Sequence, residues 1–185
     1  MKKLFIVLFI LCFFLGACQK KPDLSKPFEI WTYDVDMSGY EGLDSKDHMF
    51  KGTTVSELER VMEEKGYGPF VLSATFCPHC QIAMRYLNEV AKDLDVYIYY
   101  LDGASKEYPI QGTNDYNILF DLLYTTLNVG EDGKEIQTPE LFTIVDGIIT
   151  KYQIGTTWQG MEYDDKNIED LKKVYHDMLL PYSSK

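Results

Sequence analysis

One long apolar block opens the chain, and shorter hydrophobic patterns of two different periods follow it. Residues 4–15 are almost wholly apolar. Residues 19–27 are polar, carry Pro22 and Pro27, and read as a tether. Residues 28–35 have partial strand character, 36–47 make a loop rich in Gly and Asp, and 48–51 read as a short strand. Thr54-Val55-Ser56-Glu57 is a capping-box signature, with the Thr54 hydroxyl and the Glu57 carboxylate both expected to satisfy backbone N–H groups. The helix it starts carries Leu58, Val61 and Met62 and stops near Gly66. A strand is expected at 69–75. Ile82, Ala83, Tyr86, Leu87, Val90 and Ala91 then recur at helical spacing over 78–93. A strand at 95–101, a helix at 114–127 and a polar, turn-rich loop at 129–137 come next. Strands at 140–145 and 148–154 meet at Asp146-Gly147, a two-residue hairpin signal. The last helix is expected at 167–180, with Ile168, Leu171, Val174, Tyr175 and Met178 on one face. The order is strand, helix, strand, helix, strand, helix, strand, strand, helix, with no internal repeat.

The apolar block is an address rather than part of the fold. Lys2 and Lys3 precede it, and it is too short to span a bilayer comfortably, which suits a signal peptide. It ends Leu15-Gly16-Ala17-Cys18, which resembles a bacterial lipobox, where the cysteine becomes the lipid-bearing first residue. An ordinary cleaved signal is the alternative. The expected organisation is a leader at 1–17, a tether and N-terminal extension at 18–47, and one domain at 48–185. Loss of Lys2 and Lys3 takes the formal net charge from −11 to −13. So acidic a surface argues against nucleic acid and against electrostatic docking on anionic lipid, leaving the lipid on Cys18 as the membrane attachment. With 45% hydrophobic and 14% aromatic residues the body is globular rather than disordered.

Of the four cysteines, Cys12 goes with the leader and Cys18 takes the lipid, so Cys77 and Cys80 are the only free pair. They frame Cys77-Pro78-His79-Cys80, between the apolar strand and the helical stretch. Strand, Cys-x-x-Cys, helix is the arrangement of a thiol–disulfide site. The thiolate is the nucleophile, and the unpaired N–H groups and positive dipole end of a helix's first turn favour an anion there. Pro78 fits the first helical position, where its missing N–H costs nothing. His79, when protonated, adds positive charge beside the sulfur. Cys77 is therefore the expected attacking thiolate, and Cys80, one turn deeper, the resolving thiol. A structural disulfide across two residues would be strained. A zinc site would need two more ligands, and nothing brings His48 or His176 near, so no metal is expected.

The element order, with Cys-x-x-Cys after the second strand and Thr138-Pro139 before a late strand, resembles the thioredoxin superfamily. The resemblance implies an α/β thioredoxin-like fold, a central mixed sheet flanked by helices, with a modest insertion at 103–113 between the third strand and third helix. It also implies a cis bond before Pro139, with Thr138 pairing its backbone with an extended substrate segment. Phe76 to Cys80 looks like the site of DsbA-type bacterial disulfide oxidases, in which the histidine stabilises the reduced thiolate and so favours oxidation of substrates. Phe76, Thr138 and Pro139 are the implied substrate-contacting residues. Many members bury an acid six residues before the first cysteine. Here that position is Val71, so water or another group must take the proton. The chain is also similar to small Gram-positive thioredoxin-like lipoproteins, some labelled bacteriocin-transport accessory proteins. The implied activity is thiol–disulfide exchange through a reversible Cys77–Cys80 disulfide, with no other cofactor. The implied partners are protein thiols or disulfides and a redox partner that resets the pair, with the protein itself a monomer on the extracytoplasmic face of the cell membrane. A reductase for metal-centre or cytochrome maturation, and a non-catalytic accessory lipoprotein on the same scaffold, remain as alternatives.

Weaker signals add little. Asp34-Val35-Asp36-Met37-Ser38-Gly39 imitates the start of a calcium loop, but position twelve is Ser45, and a solvated acidic loop is the expectation. Tyr99, Tyr100, Tyr116 and Tyr124 read as core or rim rather than as a binding platform. Trp31 and Trp158 have no readable role beyond packing.

Overall fold

The computed structural model describes residues 21–103, 114–124, 126, 128–130 and 133–185. Cys12, Cys18 and most of the expected insertion at 103–113 lie outside the described residues. The described elements run β1 (Phe50–Gly52), α1 (Val55–Glu63), β2 (Gly68–Ser73), α2 (Pro78–Leu94), β3 (Ile98–Asp102), α3 (Asn114–Leu123), β4 (Asn128–Gly130), β5 (Gly133–Glu135), β6 (Glu140–Val145), β7 (Ile148–Ile154) and α4 (Asp165–Leu179), then a 3-10 turn, Leu180–Tyr182. Five strands form one mixed sheet in the order β1-β3-β2-β6-β7. β1, β3 and β2 run parallel, and β6 and β7 are antiparallel additions. β4 and β5 make a separate two-stranded hairpin. This is the α/β thioredoxin-like architecture expected from the sequence.

Alternation along the strands sorts the core into two layers. Phe70, Leu72, Leu101, Phe142 and Ile144 cluster with Leu58 and Val61 of α1 and Leu119 and Leu123 of α3. Phe50, Val71, Ile98, Tyr100 and Leu141 point the other way, to Met84 and Leu87 of α2 and Leu171, Tyr175 and Met178 of α4. A parallel strand wrapped on both faces must be apolar on both, and every residue of β2 is buried. That explains why residues 69–72 read as a run rather than an alternation.

Several boundaries move for identifiable reasons. Asp95 is in the left-handed conformation (φ 57°) and closes α2, with its N–H on Ala91 and Lys92 carbonyls, so β3 begins at Ile98 rather than at 95. Half of the capping box forms at α1: Glu57 N–H donates to Thr54 Oγ1 at 3.2 Å. The Glu57 carboxylate instead accepts from the Trp31 N–H and the Arg60 guanidinium, because a charged partner is on offer. A complete box appears where none was expected, at α4, between Asp164 and Asn167. The strand expected at 28–35 shrinks to one bridge, Tyr33 with Gly52. The expected loop at 129–137 contains the β4–β5 hairpin. At the β6–β7 turn both Asp146 (φ 55°) and Gly147 (φ 75°) are left-handed, as a two-residue hairpin of this hand requires. A Cβ on Gly147 would also lie 2.1 Å from the Met62 carbonyl oxygen.

Residues 36–47 are less solvated than their acidic composition implies. Their carboxylates stay outside, where Asp36 and Asp44 accept from nearby backbone N–H groups. Met37 and Tyr40, however, are 1% exposed and belong to the α2–α4 core layer. Met37→Ala is therefore expected to destabilise the domain by about 2–5 kcal/mol, the usual cost of truncating a buried long side chain. Urea unfolding should show a lower midpoint at unchanged slope, and an unchanged midpoint would mean that this loop only decorates the domain.

Candidate active site

The turn after β2 is built so that a sulfur replaces the usual oxygen at a helix start. Cys77 N–H donates to the Ala74 carbonyl at 3.1 Å, which closes the turn. Cys77 then takes the N-cap position of α2 in extended conformation, with Pro78 in the first turn. Its Sγ accepts from Cys80 N–H at 3.4 Å. The sulfur thus occupies the place where a Ser or Asp oxygen normally satisfies an orphan donor, at the positive end of a 17-residue helix. Both cysteines are free thiols, Cys77 half-buried and Cys80 fully buried.

The second wall comes from a point 61 residues away. The Cys77 thiol donates to the Thr138 carbonyl at 3.4 Å, and the Thr138–Pro139 bond is cis. The sequence-expected residues Cys77, Cys80, Thr138 and Pro139 are thus gathered at one place. Phe76 stands beside Cys77 with 77% of its surface exposed, and Pro78 is exposed as well. His79 is half-buried, and its Nδ1 is shut off from solvent with no hydrogen-bond partner. Burial pushes the Cys80 thiol up to about 11. The neighbouring Cys77 adds to that rise, while hydrogen bonds from Ser73, the Ala74 backbone and Thr138 oppose it.

Sequence reasoning missed two sets of residues. Gln81, in the first turn of α2, is a stitch: its Nε2 donates to the carbonyls of Gly39 and Thr75, and its Oε1 accepts from Glu41 N–H at 2.6 Å. It fixes the 36–47 loop to α2. The other set is a buried polar chain. The Tyr40 hydroxyl lies 2.9 Å from Ser73 Oγ and 3.0 Å from the Tyr100 hydroxyl, which in turn lies 3.1 Å from Asp102 Oδ1, all within hydrogen-bond distance. A serine ending an apolar run was the one readable hint of it. Among the described residues no group of three or more His, Cys, Asp and Glu is placed to hold a metal ion, and no helix is long and apolar enough to cross a membrane.

No protein-family model matches the chain, and no curated protein matches it. Among solved structures it is similar to thioredoxin O2 from Arabidopsis thaliana in the oxidized state, at 14% identity and TM-score 0.42, over 71% of this chain and 95% of that one. It is also similar to thioredoxin from Aeropyrum pernix, at 16% identity and TM-score 0.41, over 82% of this chain and 99% of that one. Oxidised thioredoxin from Plasmodium falciparum is a third, at 13% identity and TM-score 0.37, over 65% and 91%. The thioredoxin-like fold itself rests on the strand order, the strand directions and the placement of helices on both sheet faces.

Glu140, directly after Pro139, is a charged residue in an apolar layer. It is fully buried, its Oε1 accepts from Thr126 Oγ1 at 2.6 Å, and its Oε2 has no partner. Burial pushes its carboxyl from 4.5 up to about 7. Between those two values the folded state keeps a proton that the unfolded chain has lost. The contribution is therefore intact below pH 4.5, declines as pH rises towards 7, and is constant above. The total decline is on the order of 3 kcal/mol. Glu140→Gln should remove that slope, so unfolding measured at pH 5 and pH 8 should separate the two proteins at pH 8 and not at pH 5.

Proposed function

We propose that the chain is a thiol–disulfide oxidoreductase acting on protein thiols and disulfides. The single observation that supports this best is the position of the Cys77 sulfur. It is half-buried, sits at the start of α2, accepts a backbone N–H, and has the buried Cys80 thiol one turn away. A protein disulfide and two thiols are all the chemistry requires. In the oxidase direction, a substrate thiolate attacks Cys77 of the Cys77–Cys80 disulfide and Cys80 leaves as a thiolate that takes up a proton. A second substrate thiolate then attacks the substrate sulfur of the mixed disulfide. The substrate leaves with its own disulfide, and Cys77 leaves as a thiolate. Two electrons pass from substrate to enzyme.

The oxidase direction is the favoured one. Whatever stabilises the Cys77 thiolate stabilises the dithiol form and makes the disulfide the better oxidant. The α2 terminus contributes, and His79, two residues on, adds to it when protonated. Thr138 is the substrate-contacting residue, since its carbonyl accepts from the Cys77 thiol from the other wall. Phe76 offers an apolar surface beside the sulfur. The protein works on the extracytoplasmic face of the membrane, held there by a lipid on Cys18, and a separate redox partner resets the pair.

Cys77→Ser is expected to lose essentially all activity in refolding of reduced ribonuclease and in insulin reduction, whereas Cys80→Ser should accumulate a mixed disulfide through Cys77. Wild-type activity in Cys77→Ser would end this reading. His79→Ala should lower the Cys77–Cys80 potential towards more reducing values. An unchanged potential would remove the case for the oxidase direction and leave the exchange chemistry standing. Palmitate should label the wild type in cells and fail to label Cys18→Ala.

A further inference from the structure

The resolving thiol has a proton problem. It is 0% exposed, and the position two residues before Ser73 on the same sheet face holds Val71, which can neither give nor take a proton. The residues that can are Ser73 itself and those beyond it. Ser73, Tyr100 and Asp102 all lie on the α2 side of the sheet, where Ser73 and Asp102 are register partners. Tyr40 reaches in from the 36–47 loop, with its ring edge-on to Tyr100 at 6.3 Å. Ser73, Tyr40 and Tyr100 are at most 3% exposed, while Asp102 is only half-buried.

We propose that Ser73, Tyr40, Tyr100 and Asp102 form a proton relay between the buried Cys80 sulfur and the protein surface. The proposal rests on the reading of Cys77 and Cys80 as the redox pair. Its geometry is a continuous line of oxygens at 2.9, 3.0 and 3.1 Å. Counting hydrogens gives it a direction. Each tyrosine has one proton, so Tyr40 donating to Ser73 and Tyr100 donating to Asp102 would leave the Tyr40–Tyr100 contact with none. The line is fully bonded only when every hydroxyl points the same way. With Asp102 ionised, all point towards Asp102, and Ser73 Oγ is left to accept from the Cys80 S–H. With Asp102 protonated, all point towards Cys80, and Ser73 donates to a Cys80 thiolate. Passage between the two states moves one proton end to end with small shifts of each hydrogen.

Each redox half-step uses one of these states. When Cys80 attacks the mixed disulfide, its proton passes to Ser73, each hydroxyl passes one on, and Asp102 receives the last. The new Cys77–Cys80 bond forms, and the electron pair of the broken bond leaves on the substrate sulfur. When a substrate thiolate opens the Cys77–Cys80 disulfide, the flow reverses and Cys80 leaves as a neutral thiol. The groups acting on the Cys80 sulfur are Cys77 on its own helix, Ser73 from β2, Thr138 beside the cis bond, Tyr40 from the loop and Tyr175 from α4, while Tyr100 and Asp102 act on Tyr40 farther along the line. Burial raises all three tyrosines well above their ordinary value, so they carry protons without ionising. Asp102 and Cys80 are the two ends that change charge.

The test separates the two cysteines in time. Reduced protein is mixed with 5,5′-dithiobis(2-nitrobenzoate) in a stopped-flow instrument. Attack by Cys77 releases one thionitrobenzoate, and closure by Cys80 releases a second. Tyr40→Phe and Asp102→Asn should leave the first phase unchanged. Both should slow the second at pH 7 by about a hundredfold, the low end of what positioned proton transfer contributes. The deficit should shrink as pH approaches 11, where the Cys80 thiol ionises without help. Tyr40→Phe removes only an oxygen, and Asp102 is half-exposed, so circular dichroism should show both folded. Folded variants whose second phase matches wild type across pH would overturn the relay and leave the redox reading intact. A uniform slowing at every pH would also overturn it, since that is the mark of a purely structural defect. Absence of both phases in the wild type would instead sink the redox reading itself.

Discussion

The first turn of α2 is the constraint on which the site depends. Cys77 caps that helix with sulfur, and the cap holds only because the helix is fixed at its far end and along its inner face. Ala83, Met84, Leu87, Val90, Ala91 and Leu94 bury one stripe of it against the sheet and α4. Asp95 terminates it, and Ser183 Oγ donates back to the Leu94 carbonyl at 2.7 Å. A sulfur cap is a weaker acceptor than an oxygen cap, so packing rather than capping carries the helix here. That leaves the electronic environment of the first turn available to stabilise a thiolate.

Packing that stripe also creates the difference between the two cysteines. At helical spacing a residue three positions past the cap falls on the inner face, so Cys80 is carried into the core while Cys77 stays at the rim. One thiol can meet another protein and the other cannot. Burial then raises the pKa of Cys80, and a buried thiol with a high pKa needs local proton donors and acceptors to work near neutrality. The polar chain through Ser73 and Tyr40 links that sulfur's neighbours to a carboxylate.

Much of this was legible in advance, because it depends on local rules. The apolar run of β2, the Cys-x-x-Cys, the 3.6-residue spacing after it and the Asp146-Gly147 hairpin each follow from residue chemistry over a few positions. What escaped depends on contacts distant in sequence. Little around residue 40 says that Tyr40 enters the core, since Ser38, Gly39, Glu41 and Gly42 flank it. It is buried because Gln81, 41 positions later, ties that loop to α2. Glu57 left its expected cap for the same reason: Arg60 and the Trp31 backbone outcompete the N-cap N–H once the N-terminal segment folds across α1. Asp164-Asn167 went unread because Asn replaces the usual Glu or Gln at the third position.

The two buried or half-buried carboxylates near the site are not interchangeable, and the sheet decides between them. Leu141 faces α2 and α4, and Phe142 faces α1 and α3. By alternation Glu140 shares the Phe142 side, and its bond to Thr126, just past α3, agrees with that. Cys80 is on the opposite face. Glu140 sits next to Pro139 in sequence, yet a layer of backbone separates its carboxyl from the Cys80 sulfur. Asp102 is distant from Pro139 in sequence but on the Cys80 side, joined through three hydroxyls. Adjacency to Pro139 would nominate Glu140 for the acid that position 71 lacks. The parity of the strands rules it out and nominates Asp102.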